Sequence, residues 1–102
     1  MKSPPKNHFG RALRQARHAC QLSQEGFGDV SGRTYVSQIE RGERQATLNK
    51  VDDLASVLAV HPCSLVLISY LSDRATPDSI DRLLEQVRSE AVRLLLPASD
   101  SA

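Results

Sequence analysis

The residues with chemistry to offer lie together in the stretch Gly32-Arg33-Thr34-Tyr35-Val36-Ser37-Gln38-Ile39-Glu40-Arg41-Gly42. In helical register Val36 and Ile39 fall on one face, and Arg33, Thr34, Ser37 and Gln38 on the other. That outer face holds a guanidinium, an amide and two hydroxyls, with no apolar group and no acid. Arginine suits bidentate contact with guanine, glutamine suits adenine, and hydroxyls reach bases or phosphates. This is the chemistry of a helix that lies in the major groove of double-stranded DNA, with Arg33, Thr34, Ser37 and Gln38 as base contacts. An ordinary amphipathic helix with a solvated polar face fits the same pattern, so the segment alone leaves both readings open. Gly42 follows directly, where a helix most cheaply ends in a left-handed residue.

Other chemistry finds little support. The chain has no GxSxG, HExxH, P-loop or dinucleotide motif. His8, His18 and His61 are scattered and build no metal site. Cys20 and Cys63 stand among apolar neighbours without CxxC spacing, so they are expected to pack as small hydrophobes, with redox sensing as the other reading. Neither an enzyme nor a cofactor is expected.

The net charge of +1 hides a division. Residues 1–50 carry nine Lys/Arg against four acids, net +5, and residues 51–102 carry four Arg against eight acids, net −4. Phosphate attraction needs local charge, and the basic half surrounds the proposed reading helix. With 102 residues the chain has room for one domain and a modest core. Its longest apolar run, Ser64 to Ile68, is far short of a membrane span, and the Pro- and Lys-containing start lacks a signal-peptide core. A cytoplasmic protein without membrane contact is expected.

The elements that must position the reading helix follow from periodicity. Residues 1–8 read as a flexible arm. Phe9, Leu13, Ala16 and Cys20 mark a first helix, with Arg11, Arg14 and Arg17 on flanking faces. Ser23 is a natural cap for a second helix over about Gln24–Val30, which offers Phe27 and Val30 to the core. Ser31 or Gly32 caps the third. Thr47 caps a fourth, with Leu48, Val51, Leu54, Ala55 and Leu58 inward, and Pro62 opens a fifth, with Leu65, Leu67, Ile68 and Leu71 as buried candidates. The fold class is therefore all-α, with a five-helix domain over 9–71.

These segments resemble a known family. Leu22-Ser23-Gln24-Glu25, Tyr35-Val36-Ser37-Gln38-Ile39-Glu40-Arg41-Gly42, the Thr47-Leu48 start and the run from Leu54 to Val66 are similar to the lambda-repressor-like, Xre-type helix-turn-helix proteins. The resemblance covers about Phe9 to Leu71. It implies that the second and third helices form the helix-turn-helix and that the third enters the major groove. It also implies that Arg33, Thr34 and Gln38 read bases, and that Gln24, Tyr35, Arg41 and Arg44 contact the DNA backbone. Arg17 and Glu40 then correspond to a partly buried ion pair tying the first helix to the end of the third. The chain departs from the family between Leu22 and Tyr35, where it is two residues shorter. With Gly26 and Gly28 in helix positions, this predicts a short second helix or a tightened turn, with Gly32 in an unusual backbone geometry. The contraction bears on Arg33 and Thr34 more than on Gln38.

Beyond this domain, residues 72–76 read as a linker and Thr76-Pro77-Asp78 as a strong helix start. A C-terminal amphipathic helix is expected over 77–97, ended by Pro97, with 98–102 a disordered tail. Ile80, Leu84, Val87, Ala91 and Leu94 repeat at four, three, four and three, the spacing of a helix-to-helix seam. That stripe either folds back on its own domain or forms the contact of a homodimer, the reading favoured here. A dimer would bind an inverted-repeat operator with half-sites about 34 Å apart. The function expected is a sequence-specific DNA-binding transcriptional regulator, a repressor or autoregulator. The alternatives are the antitoxin of a toxin–antitoxin pair, whose C-terminal helix holds a protein partner, and an interaction adaptor that kept the fold.

Overall fold

The computed structural model describes residues 5–28 and 32–96, and every regular element among them is helical. The elements are α1 (Phe9–Ala19), a single 3-10 turn (Gln24–Phe27), α2 (Arg33–Glu40), α3 (Leu48–Leu58), α4 (Pro62–Ser69) and α5 (Pro77–Leu95). They fall into two compact units, Met1–Ser72 and Asp73–Ala102.

In the first unit α1 packs on α4 and α2, and α3 packs on α4 and the 3-10 turn. Leu13, Phe27, Val36, Ile39, Val51, Leu54, Ala55, Leu58 and Leu65 form one buried cluster. α2 and α3 supply theirs at three- and four-residue spacing, and half-buried Phe9 and Ala16 flank Leu13 in the same way on α1, which is how a helix presents one face to a core. Phe27 is fully buried. It makes the 3-10 turn a structural element rather than a loop, since burying a Phe side chain contributes about 1.5–3 kcal/mol.

The structure departs from the sequence pattern in several places. The second helix is one 3-10 turn of four residues, not Gln24–Val30. Val30 and Ser31 lie outside the described residues, as do Pro97, the 98–102 tail and the start of the arm. Ser23 has an extended backbone but makes no side-chain cap bond. Gly32 begins α2 with φ −65°, an ordinary extended conformation rather than an unusual one. Leu48 is 80% exposed, because it opens α3 on the outer side while Val51 and Leu54 turn inward. The end of the arm is tied down: the His8 N–H donates to the Ser69 carbonyl at 2.7 Å, and Asn7 Oδ1 accepts from the Phe9 N–H at 3.2 Å. Cys20 and Cys63 are exposed free thiols, not packed hydrophobes, because each sits at a helix end.

Helix ends follow the expected physics elsewhere. Thr47 Oγ1 accepts from the Lys50 N–H and caps α3. α2 closes with the Gly42 N–H donating to the Ile39 carbonyl and the Glu43 N–H to the Gln38 carbonyl, with Gly42 at φ +77°. α1 ends in the same motif, but there Gln21 takes the left-handed position at φ +59°. In the second unit, Thr76 and Ser79 form a reciprocal capping box that spans Pro77, and α5 runs nineteen residues without one buried side chain.

Candidate nucleic-acid interface

The candidate interface is the outer face of α2 with the turn after it. Val36 and Ile39 are 0% and 2% exposed and hold the helix to the core. Arg33 and Thr34 are exposed, while Ser37, Gln38 and Tyr35 are partly so. The four candidate base contacts therefore share one accessible side of one helix. Gly42 then turns the chain so that Glu43 and Arg44 come back beside it.

Four cations here are held in different ways. Arg33 Nη1 lies 3.4 Å from Glu25 Oε2, both side chains being about two-thirds exposed. Arg41 pairs through Nε and Nη2 with both Glu43 oxygens, at 2.8 and 3.0 Å, and also donates to Ser37 Oγ. That pairing raises the Arg41 pKa and lowers that of Glu43, in each case chiefly through the hydrogen bond between them. Arg44 has no acid partner among the described residues. Its Nε donates to Gln38 Oε1 at 3.1 Å, and its guanidinium lies 5.4 Å from the centre of the Tyr35 ring. Lys50 Nζ lies 5.1 Å from the same ring, so Tyr35 carries two cations.

Behind α2 the arrangement is closed. Arg17 Nε and Nη2 donate to the two Glu40 oxygens at 2.7 and 3.0 Å, and Arg17 Nη1 donates to the Leu22 carbonyl at 2.9 Å. The two side chains are only 11% and 5% exposed. Gln24 Nε2 donates to Glu40 Oε1 at 3.1 Å, so its amide faces the protein in the free chain rather than a position toward a phosphate. Burial pushes the Glu40 carboxyl upward. Hydrogen bonds from Arg17 and Gln24, with the charges of Arg17 and Arg14, outweigh it and leave the net pKa lowered.

Two positioning residues escaped the sequence reading. A Cβ on Gly10 would stand 2.4 Å from the Ile39 carbonyl oxygen and 2.9 Å from that of Glu40. Gly10 thus lets α1 cross against the last turn of α2, and the only signal was a glycine inside a helical pattern. The other is Arg11, which from a flanking face of α1 donates to the Ile68 and Leu71 carbonyls at the end of α4. No glycine closes α4, so its last carbonyls need a donor from elsewhere.

Among the described residues no single helix is long and apolar enough to cross a membrane, and no cluster of three or more His, Cys, Asp or Glu could hold a metal ion. The comparisons with known proteins agree with this geometry. A helix-turn-helix domain model matches residues 8–65. The control protein C.BamHI of Bacillus amyloliquefaciens is 38% identical over 61 residues, covering 57% of this chain and 75% of that protein. The crystal structure of the restriction-modification controller protein C.AhdI from Aeromonas hydrophila superposes with a TM-score of 0.52 at 42% identity, over 56% of this chain and 86% of that one. With that family model spanning more than half of its length, the chain belongs to the lambda-repressor-like, Xre-type helix-turn-helix family of DNA-binding transcriptional regulators.

Proposed function

We propose that this chain is a dimeric autoregulator of the restriction–modification controller type, which binds an inverted-repeat operator and reads each half-site with α2. The observation that carries the reading is the division of α2. Its inner face is sealed into the core, and Arg33, Thr34, Ser37 and Gln38 are left together on the outside. Tyr35, Arg41, Arg44 and Gln24 flank that face and supply the backbone contacts, with Arg41 exchanging Glu43, and Gln24 exchanging Glu40, for phosphate. The names of the two relatives, a control protein and a restriction-modification controller protein, support control of restriction–modification as the role.

α5 supports the dimer. Leu84, Val87 and Leu94 are 48%, 50% and 69% exposed along the seam that also holds Ile80 and Ala91. An apolar stripe of that length and spacing fits a second copy of itself. Cytoplasmic action follows from a DNA target.

A mobility shift of the full chain on duplex DNA from its own upstream region tests regulation directly. A discrete complex that resists scrambled competitor supports it, and equal competition by scrambled DNA refutes it. Leu84→Asp tests the dimer. Sedimentation should show a monomer, circular dichroism should show the first unit still folded, and operator affinity should fall about 10²–10⁴-fold as two linked half-sites become independent. An unchanged dimer would move the interface elsewhere. A stable complex with the product of an adjacent gene, in place of the homodimer, would favour the antitoxin reading, which the same open face of α5 serves.

A further inference from the structure

We infer that Arg44 is a positioning residue for Gln38, and that it changes the base α2 prefers at one position from adenine to guanine. The inference rests on the proposal that α2 lies in a major groove. A guanidinium carries only donors, so the amide group that meets Arg44 Nε must be the Gln38 oxygen, as the 3.1 Å contact shows. The Gln38 NH₂ group is thereby turned away from Arg44, and it has no partner among the described residues. Arg44 is itself steadied by neutral groups, since it lies over Tyr35 and forms no ion pair among the described residues. The turn at Gly42 fixes the path to it, with the Glu43 N–H on the Gln38 carbonyl at 2.9 Å. Gln38 and Arg44 therefore act as one unit that presents donors.

Base edges distinguish such a unit from a lone glutamine. Adenine pairs bidentately with glutamine because N7 accepts and N6 donates, and the N6 donor needs the amide oxygen. Arg44 takes one of that oxygen's two lone pairs and sets a cation and further N–H donors beside it, which disfavours approach of the N6 amino donor, so the unit's free N–H groups suit an edge that only accepts. Guanine offers two acceptors there, N7 and O6. Arg33 and Arg41 are in a different position, as each faces a carboxylate that DNA must displace.

Selection from a randomised duplex library with the full-length wild type, Gln38→Ala, Arg44→Ala and Arg44→Lys tests this. Wild type should enrich guanine at one position per half-site, and Gln38→Ala should lose preference at that position alone. Arg44→Ala should shift the same position toward adenine by about tenfold or more in relative affinity, with the other positions keeping their ranking. Arg44→Lys, a donor without the planar fork, should give an intermediate result. Adenine selected by wild type at the Gln38-dependent position would overturn the inference. So would a uniform loss of affinity in Arg44→Ala with unchanged base ranking, the result of a phosphate contact alone. Enrichment of no sequence by wild type would refute base reading by α2, and the inference with it, which distinguishes the two failures.

Discussion

Arg17–Glu40 and Arg41–Glu43 are the same two residue types at nearly the same separation, 2.7 and 2.8 Å, on opposite sides of α2. The first pair is 11% and 5% exposed, the second 55% and 55%. Burial separates their roles. Behind the helix a broken pair would leave a charge that water cannot reach, so the contact fixes where α2 sits. In front, either partner can exchange the other for water or for DNA, so the contact holds little of the fold and remains open to chemistry. The back of α2 fixes its position, and the front is free to read.

The largest effect should come from breaking the back. Arg17→Ala leaves the Glu40 carboxylate buried with Gln24 as its remaining hydrogen-bond partner, at a cost of about 3–5 kcal/mol. Removing both, Arg17→Ala with Glu40→Ala, should recover part of that loss in a denaturant-unfolding cycle, and additive losses would show that the two side chains do not depend on each other. Next, Gly10→Ala places a methyl group against backbone oxygens that cannot rotate away, so α1 must move. About 1–3 kcal/mol of stability should be lost. A wild-type melting temperature for this variant would contradict the close crossing.

The third test uses pH. The Glu40 carboxyl has a lowered pKa in the folded chain, so its contribution is fully present above the unfolded value of about 4.3. It should be lost as pH falls through the lowered folded value. Glu40→Gln removes that titration, and its unfolding midpoint should therefore depend less on pH over the acid range than that of wild type. Parallel curves would mean that other carboxylates carry the acid response. The smallest effect on the fold belongs to the front. Glu43→Gln should leave the melting temperature unchanged while strengthening binding to every duplex, because Arg41 no longer has a carboxylate to give up. A clear loss of stability would erase the contrast between the two pairs.

The sequence made the front of α2 legible because helical spacing alone sorts Val36 and Ile39 from Arg33, Thr34, Ser37 and Gln38. α3, α4 and α5 were legible for the same reason, with Thr47, Pro62 and Thr76 marking their starts. What periodicity could not show is where a polar side chain turns. Arg11 looks like Arg14 in the sequence, yet one caps α4 and the other is exposed. Gly10 gave no sign of the carbonyls it faces, because those lie on another element some thirty residues on. The 3-10 turn was half visible: the missing two residues announced a contraction, but whether helix or turn absorbed it depended on anchoring Phe27.

The most direct measurement pairs binding with stability in one variant, Gln38→Ala. Fluorescence anisotropy gives its affinities for the operator and for a scrambled duplex, and circular dichroism gives its melting curve. A reading front predicts unchanged melting and a loss of about 1–3 kcal/mol on the operator alone, so that the ratio of the two affinities falls. An unchanged ratio, or a loss of stability in its place, would contradict the division of α2 into a side that holds and a side that reads.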